Sequence, residues 1–254
     1  MQRNKAVSYA GTLLGIILIG LFLQLAGSHS SRLIFPGIGA ILNRFMVLIG
    51  KGETWRMILT TLVHLLAALL ISTLLGILTG SLMGLFPPVR RLFTPLLACL
   101  RSLPMIVLVI IIMVLNRYRN VPVIATTLVL FPLFCESCSE GIRRIDQELL
   151  DVYRINGSFS PRVFVLVHLP LMTGYIRQSY QNAVGMGIKV AVTSEYLVQA
   201  AGSLGKAVFS SFYFSEYADI YAYALIMILL VMMLTEVPGA AVRLIRKRKG
   251  ITTR

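Results

Sequence analysis

Apolar runs long enough to cross a bilayer recur along this chain, and each dictates how its own backbone must fold. In hydrocarbon an amide or carbonyl finds no water, so a spanning segment satisfies its backbone internally, as a helix does. About 20 apolar residues of helix cross a hydrocarbon layer about 30 Å thick. Six runs read this way, at roughly 7–26, 57–86, 92–115, 121–138, 175–200 and 220–242. The second is too long for one perpendicular crossing and is expected to tilt or to project beyond the membrane. The expected fold is an all-α membrane protein of about six transmembrane helices, forming a single domain over residues 1–254. With 57% of residues hydrophobic and 13% charged, an ordinary soluble domain is excluded.

The first run follows Gln2-Arg3-Asn4-Lys5, a basic start of the kind signal peptides have. It is longer than a signal-peptide core and has no clear small-x-small cleavage site before polar sequence resumes, so a retained helix is expected. Charge placement then predicts orientation. Arg3, Lys5, Arg90, Arg91, Arg143, Arg144, Arg154 and Arg162 fall on one side, with the cluster Arg243, Arg246, Lys247, Arg248, Lys249 and Arg254. Arg32, Arg44, Lys51, Arg56, Arg117, Arg119 and Lys206 fall on the other. This twofold bias puts both termini in the cytoplasm. The basic tail, 243–254, beside a membrane span, reads as an orientation signal and a contact for anionic lipid, not as a nucleic-acid site.

Between the fourth and fifth runs lies a polar loop, about 143–170. Ile145, Leu149, Val152 and Ile155 fall at helical spacing among Asp146, Gln147, Glu148, Asp151 and Arg154. Asn156-Gly157 suits a left-handed helix end, and Ser160-Pro161 suits the start of a second helix. That helix is expected to stop or kink at Pro170. The order Asp151-Val152-Tyr153, then Gly157, then Leu169-Pro170 resembles the loop by which permeases of bacterial ABC importers engage their ATPases. In that family a Glu-Ala-Ala triplet, a Gly and a Leu-Pro pair recur at these intervals. Asp151 stands for the Glu, and Val152 and Tyr153 replace the alanines.

The resemblance runs from about Phe35-Pro36 to Pro238 and is nearest to the nitrate, taurine and alkanesulfonate group. Thr60-Thr61-Leu62, Arg101-Ser102-Leu103-Pro104, Lys189 through Glu195, and Gly202-Ser203-Leu204-Gly205 carry it. Ile188 replaces the group's usual Trp, and Asn116–Asn120 replaces a Trp-Phe-Gly segment. The resemblance implies a type I importer permease fold in the bacterial inner membrane. It implies a small, anionic solute delivered by an extracytoplasmic solute-binding protein, and a second permease subunit, most simply a second copy. It also implies an ABC ATPase subunit that binds ATP and Mg, leaving no cofactor in this chain. ATPase coupling falls to Asp151, Val152, Tyr153, Arg154, Gly157, Leu169 and Pro170.

Charges retained inside the membrane are costly, at about 2.5–3.5 kcal/mol on insertion scales, and usually face protein or water. Arg101, Lys189 and Glu195 are the candidates for the translocation pathway. Lys189 could assist an anion, or could snorkel or bond carbonyls near Gly185 and Gly187. Gly76, Gly80 and Gly84, with Ser72, form a stripe suited to close helix packing. Cys135-Glu136-Ser137-Cys138 lacks a second pair and a nearby histidine, and reads as packing. The segment 202–207 is too short for a phosphate loop, and His29, His64 and His168 are dispersed, so no catalysis is expected in this chain. The competing readings are an ion-coupled secondary transporter and a membrane scaffold that works without an ATPase.

Overall fold

Proline decides where several of the helices break. The computed structural model describes residues 36–145, 166 and 169–248, with side chains described as far as residue 235. Among the described residues eight α-helices follow in order: α1 (Ile38–Gly50), α2 (Gly52–Leu85), α3 (Pro87–Ser102), α4 (Met105–Leu115), α5 (Val121–Arg143), α6 (Leu169–Val198), α7 (Leu204–Tyr213) and α8 (Tyr217–Arg248). A single 3-10 turn, Tyr118–Asn120, precedes α5. Phe86 is extended because a residue before proline is driven out of the α region, and Pro87 and Pro88 then open α3 where no amide donor is needed. Leu103 is extended before Pro104 for the same reason.

The second of these breaks divides a predicted span. Within the run 92–115, α3 and α4 meet at an angle of 102° across the Leu103-Pro104 break, a bend that Pro104 leads one to expect. Three described helical segments, 52–85, 118–143 and 217–235, are long and apolar enough to cross a membrane, and the bent pair makes up to four. The fifth predicted run corresponds to α6, whose polar face keeps its hydropathy low. The first run lies outside the described residues. At 1.5 Å per residue α2 is about 51 Å long, well beyond the hydrocarbon thickness, as its sequence led one to expect. α1 and α7 were not foreseen, being too short for a 20-residue window.

The described residues form two compact units: 36–55 with 208–227, and 56–207 with 228–248. In the first, Arg44 donates through Nε and Nη2 to both carboxylate oxygens of Asp219, the second bond measuring 2.9 Å. Such a two-pronged, charge-assisted pair fixes α1 against the start of α8. Trp55 Nε1 donates to the Ile49 carbonyl at 2.8 Å and staples the α1–α2 corner.

In the second unit α5 and α6 pair extensively. The glycine stripe of α2 packs within the chain, against α5. A methyl at Gly80 would collide with the Cys135 carbonyl and lie 2.8 Å from Cys138 Cβ; one at Gly84 would lie 2.8 Å from Ile142 Cβ. Cys135 and Cys138 are thus buried packing partners of glycine, and the Thr79 hydroxyl lies 2.7 Å from Cys135 Sγ. α4 is apolar all round. It buries Leu108, Val109 and Ile112 on Val121 and Ala125, leaving Ile106, Ile110 and Val114 exposed, as a lipid-facing helix does.

Candidate functional site

Glu195 is fully buried near the end of α6, and its surroundings explain how a carboxylate survives there. The Thr61 hydroxyl donates to Oε2 at 2.8 Å, His64 Nδ1 lies 2.8 Å from Oε1, and the Gly205 amide donates to Oε2 at 3.1 Å. An ionised carboxylate can only accept, and the Nδ1–H tautomer of His64 is the one that completes this bond. Thr61 in turn accepts the Leu204 amide at 3.0 Å, and Ser203 Oγ accepts the Lys206 amide at 3.2 Å. The first amides of α7 are therefore satisfied by α2, α6 and their own N-cap serine. A negative group at a helix N-terminus is further favoured by the helix dipole.

Only glycine permits this approach at 205. A Cβ there would lie 2.5 Å from the Val192 carbonyl oxygen and 2.6 Å from the Tyr196 amide nitrogen. α6 itself ends in a left-handed turn at Gln199 (φ 50°), with the Ala200 amide bonding the Glu195 carbonyl at 2.9 Å and the Gln199 amide bonding the Tyr196 carbonyl at 3.3 Å. These paired bonds close the helix carbonyls and turn the chain back toward α7.

Beside this cradle opens a cavity of about 740 Å³. Arg56, Thr60 and His64 of α2 line it, together with Tyr118, Arg119 and the turn from Val198 to Ala201. Near the other end of α5 a second cavity, about 370 Å³, is lined by Arg90, Glu136, Ser137, Glu140 and Tyr175 among others. Arg101 pairs with Glu136 of α5, and both side chains are about half exposed, at 50% and 48%.

The three intramembrane charges singled out in the sequence thus occupy three different settings. Glu195 is locked in its cradle, Arg101 is ion-paired and half open, and Lys189 is exposed on α6. Lys189 and Glu195 do not face the same way. With Lys189 on the exposed face are Arg177, Gln178, Gln181, Asn182 and Thr193, spaced by threes and fours. Thr61, His64 and Glu136 were missed as site residues. The one available signal was that a buried charge in a membrane requires partners.

Asp151, Val152, Tyr153, Arg154 and Gly157 lie outside the described residues. Leu169 and Pro170 form the first turn of α6. Pro170 thus sits where its missing amide costs nothing, and the helix expected to end there lies outside the described residues.

The helical fold, the apolar spans and the buried polar node define a multi-span membrane protein, and comparison narrows the class. Residues 72–251 match the family described as binding-protein-dependent transport system inner membrane component, and the chain belongs to that family. It is 25% identical over 173 residues to the glycine betaine/proline betaine transport system permease protein ProW of Escherichia coli K12, covering 68% of this chain and 48% of that protein. The chain thus spans about half the length of that relative. It is 26% identical over 209 residues to the glycine betaine transport system permease protein OpuAB of Bacillus subtilis 168, covering 82% of this chain and 72% of the relative. Among solved structures, an inward-facing form of the MetNI methionine ABC transporter superposes with a TM-score of 0.67 at 15% identity, covering 76% of this chain and 98% of that one. The fold is that of a type I ABC importer permease. The two named relatives are betaine permeases, so the narrower nitrate, taurine and alkanesulfonate grouping does not carry over.

Proposed function

We propose that this chain is the transmembrane permease subunit of an ATP-driven importer, and that its solute is a small zwitterion carrying a carboxylate. The exposed face of α6 supports the reading most directly. α6 is 30 residues long, and if it spans the membrane its polar and cationic side chains are too costly to face lipid, so that Gln178, Asn182, Lys189 and Thr193 face water or protein. A second copy of the chain supplies the opposite wall of such a pathway. The relatives' names point to betaine-like solutes. The simple anion expected from the sequence gives way to a solute whose negative end alone is shared with it.

In this reading an external binding protein delivers the solute, and two ATPases dock on the loop around Asp151–Gly157. ATP binding draws the loops together and turns the pathway outward; hydrolysis returns it inward. Both termini lie in the cytoplasm of a cell whose inner membrane holds the complex. Ion-coupled secondary transport would need Lys189 and Glu195 to act as a pair. Glu195 is held as an acceptor for α7 instead, which favours the importer.

The test is reconstitution in vesicles with an ABC ATPase and a solute-binding protein from the same organism, reading uptake of labelled glycine betaine. Uptake that needs ATP and both partners supports the reading. Uptake driven by an ion gradient through this chain alone refutes it.

A further inference from the structure

The 740 Å³ cavity beside the Glu195 cradle falls within the size range of small-molecule sites. Its lining is one-sided in charge. Arg56 and Arg119 approach it from α2 and from the 3-10 turn, and neither has an ionic partner among the described residues. No described acidic side chain lines it. His64 lines it too, but its Nδ1–H is committed to Glu195, which holds the ring in one orientation. Tyr118, 63% exposed, offers an aromatic face beside Arg119. Gln199 reaches the rim from a left-handed backbone position, one that non-glycine residues occupy at a cost.

Guanidinium groups match carboxylates in shape as well as in charge, each offering two parallel donors. An aromatic face attracts a quaternary ammonium. From these features we infer that the cavity is a solute site of the permease that selects for a carboxylate, with Arg56 and Arg119 binding it and Tyr118 receiving the ammonium end. The inference deepens the proposed function and rests on it for the solute class. A bare quaternary cation such as choline meets two positive charges and no compensating carboxylate, so the site rejects it. Glu195 acts one step back: through His64 and Thr61 it positions the α2 wall from which Arg56 and Thr60 project.

The test is direct binding to the full chain in lipid nanodiscs, followed by ligand-observed NMR with empty nanodiscs as background. Glycine betaine is expected to bind, acetate to compete with it, and choline to give no signal. Arg56→Gln with Arg119→Gln is expected to weaken glycine betaine binding at least tenfold, the scale of losing a charge-assisted bond. The lysine pair, Arg56→Lys with Arg119→Lys, keeps the charge, is expected to bind at an intermediate level, and controls for folding. Equal signals for choline and glycine betaine overturn the inference, as does binding unchanged in the glutamine pair or absent from the native chain. So does capture of the binding protein that the glutamine pair abolishes while glycine betaine binding persists, because the arginines then serve protein docking. The two readings fail separately. ATP-driven uptake with a KM for glycine betaine unmoved by the arginine variants removes the site and leaves the importer. Carboxylate-dependent binding without ATP-driven uptake leaves the site and removes the importer.

Discussion

Two carboxylates on neighbouring membrane helices, Glu195 and Glu136, have opposite settings. Glu195 is fully buried with three donors from α2 and the start of α7, while Glu136 is half exposed with Arg101 as its ionic partner. Burial makes the first expensive to disturb, because each donor loses both water and acceptor if the carboxylate goes. Partial solvation makes the second cheap to break and remake. The contrast assigns a fixed joint to the α2–α6–α7 corner and a movable contact to the α3–α5 corner. Arg101 lies next to the Leu103-Pro104 break, where the 102° bend places a backbone discontinuity suited to movement.

Variants that unbalance this contrast follow in order of expected size. Glu195→Leu should destabilise the chain by about 3–5 kcal/mol, the scale of breaking a buried polar network, read as lower thermal stability in detergent. Gly205→Ala should cost about 1–3 kcal/mol, since its methyl forces α7 away from Val192 and Tyr196. Glu195→Gln keeps an acceptor for Thr61 and should cost about 1–2 kcal/mol, with His64 the partner most affected. Arg101→Gln should change stability by no more than about 1 kcal/mol. An Arg101 effect as large as that of Glu195→Leu would erase the distinction between joint and movable contact. A Gly205→Ala protein as stable as the parent would show that α7 can shift without cost.

The two corners were also unequally legible in the sequence. Four-residue spacing of Gly76, Gly80 and Gly84 announced a packing face, and α5 occupies it. Pro104 announced a helix break, though not its angle. Glu195 stood out as a charge in an apolar run, but Thr61 and His64 lie 134 and 131 residues away, and no local pattern sets the register between distant helices. Glu136 was set aside with the Cys135–Cys138 segment because packing explained the cysteines. α7 escaped notice because its ten residues are too few for a spanning run and begin within the Gly202–Gly205 segment, which reads as a turn. The exposed polar face of α6 was present in the sequence as a run of polar interruptions. Which way that face points depends on the packing of α5, which periodicity alone does not give.

The proposed function rests on ATPase recruitment by the loop at Asp151–Gly157. The most direct measurement is capture of the solubilised chain from its native membrane, comparing the parent with Asp151→Arg and Gly157→Val and confirming membrane insertion of each. The account predicts that an ATPase accompanies the parent and is lost from both variants while insertion is unchanged. An ATPase retained equally by all three, or absent from the intact parent complex, contradicts it.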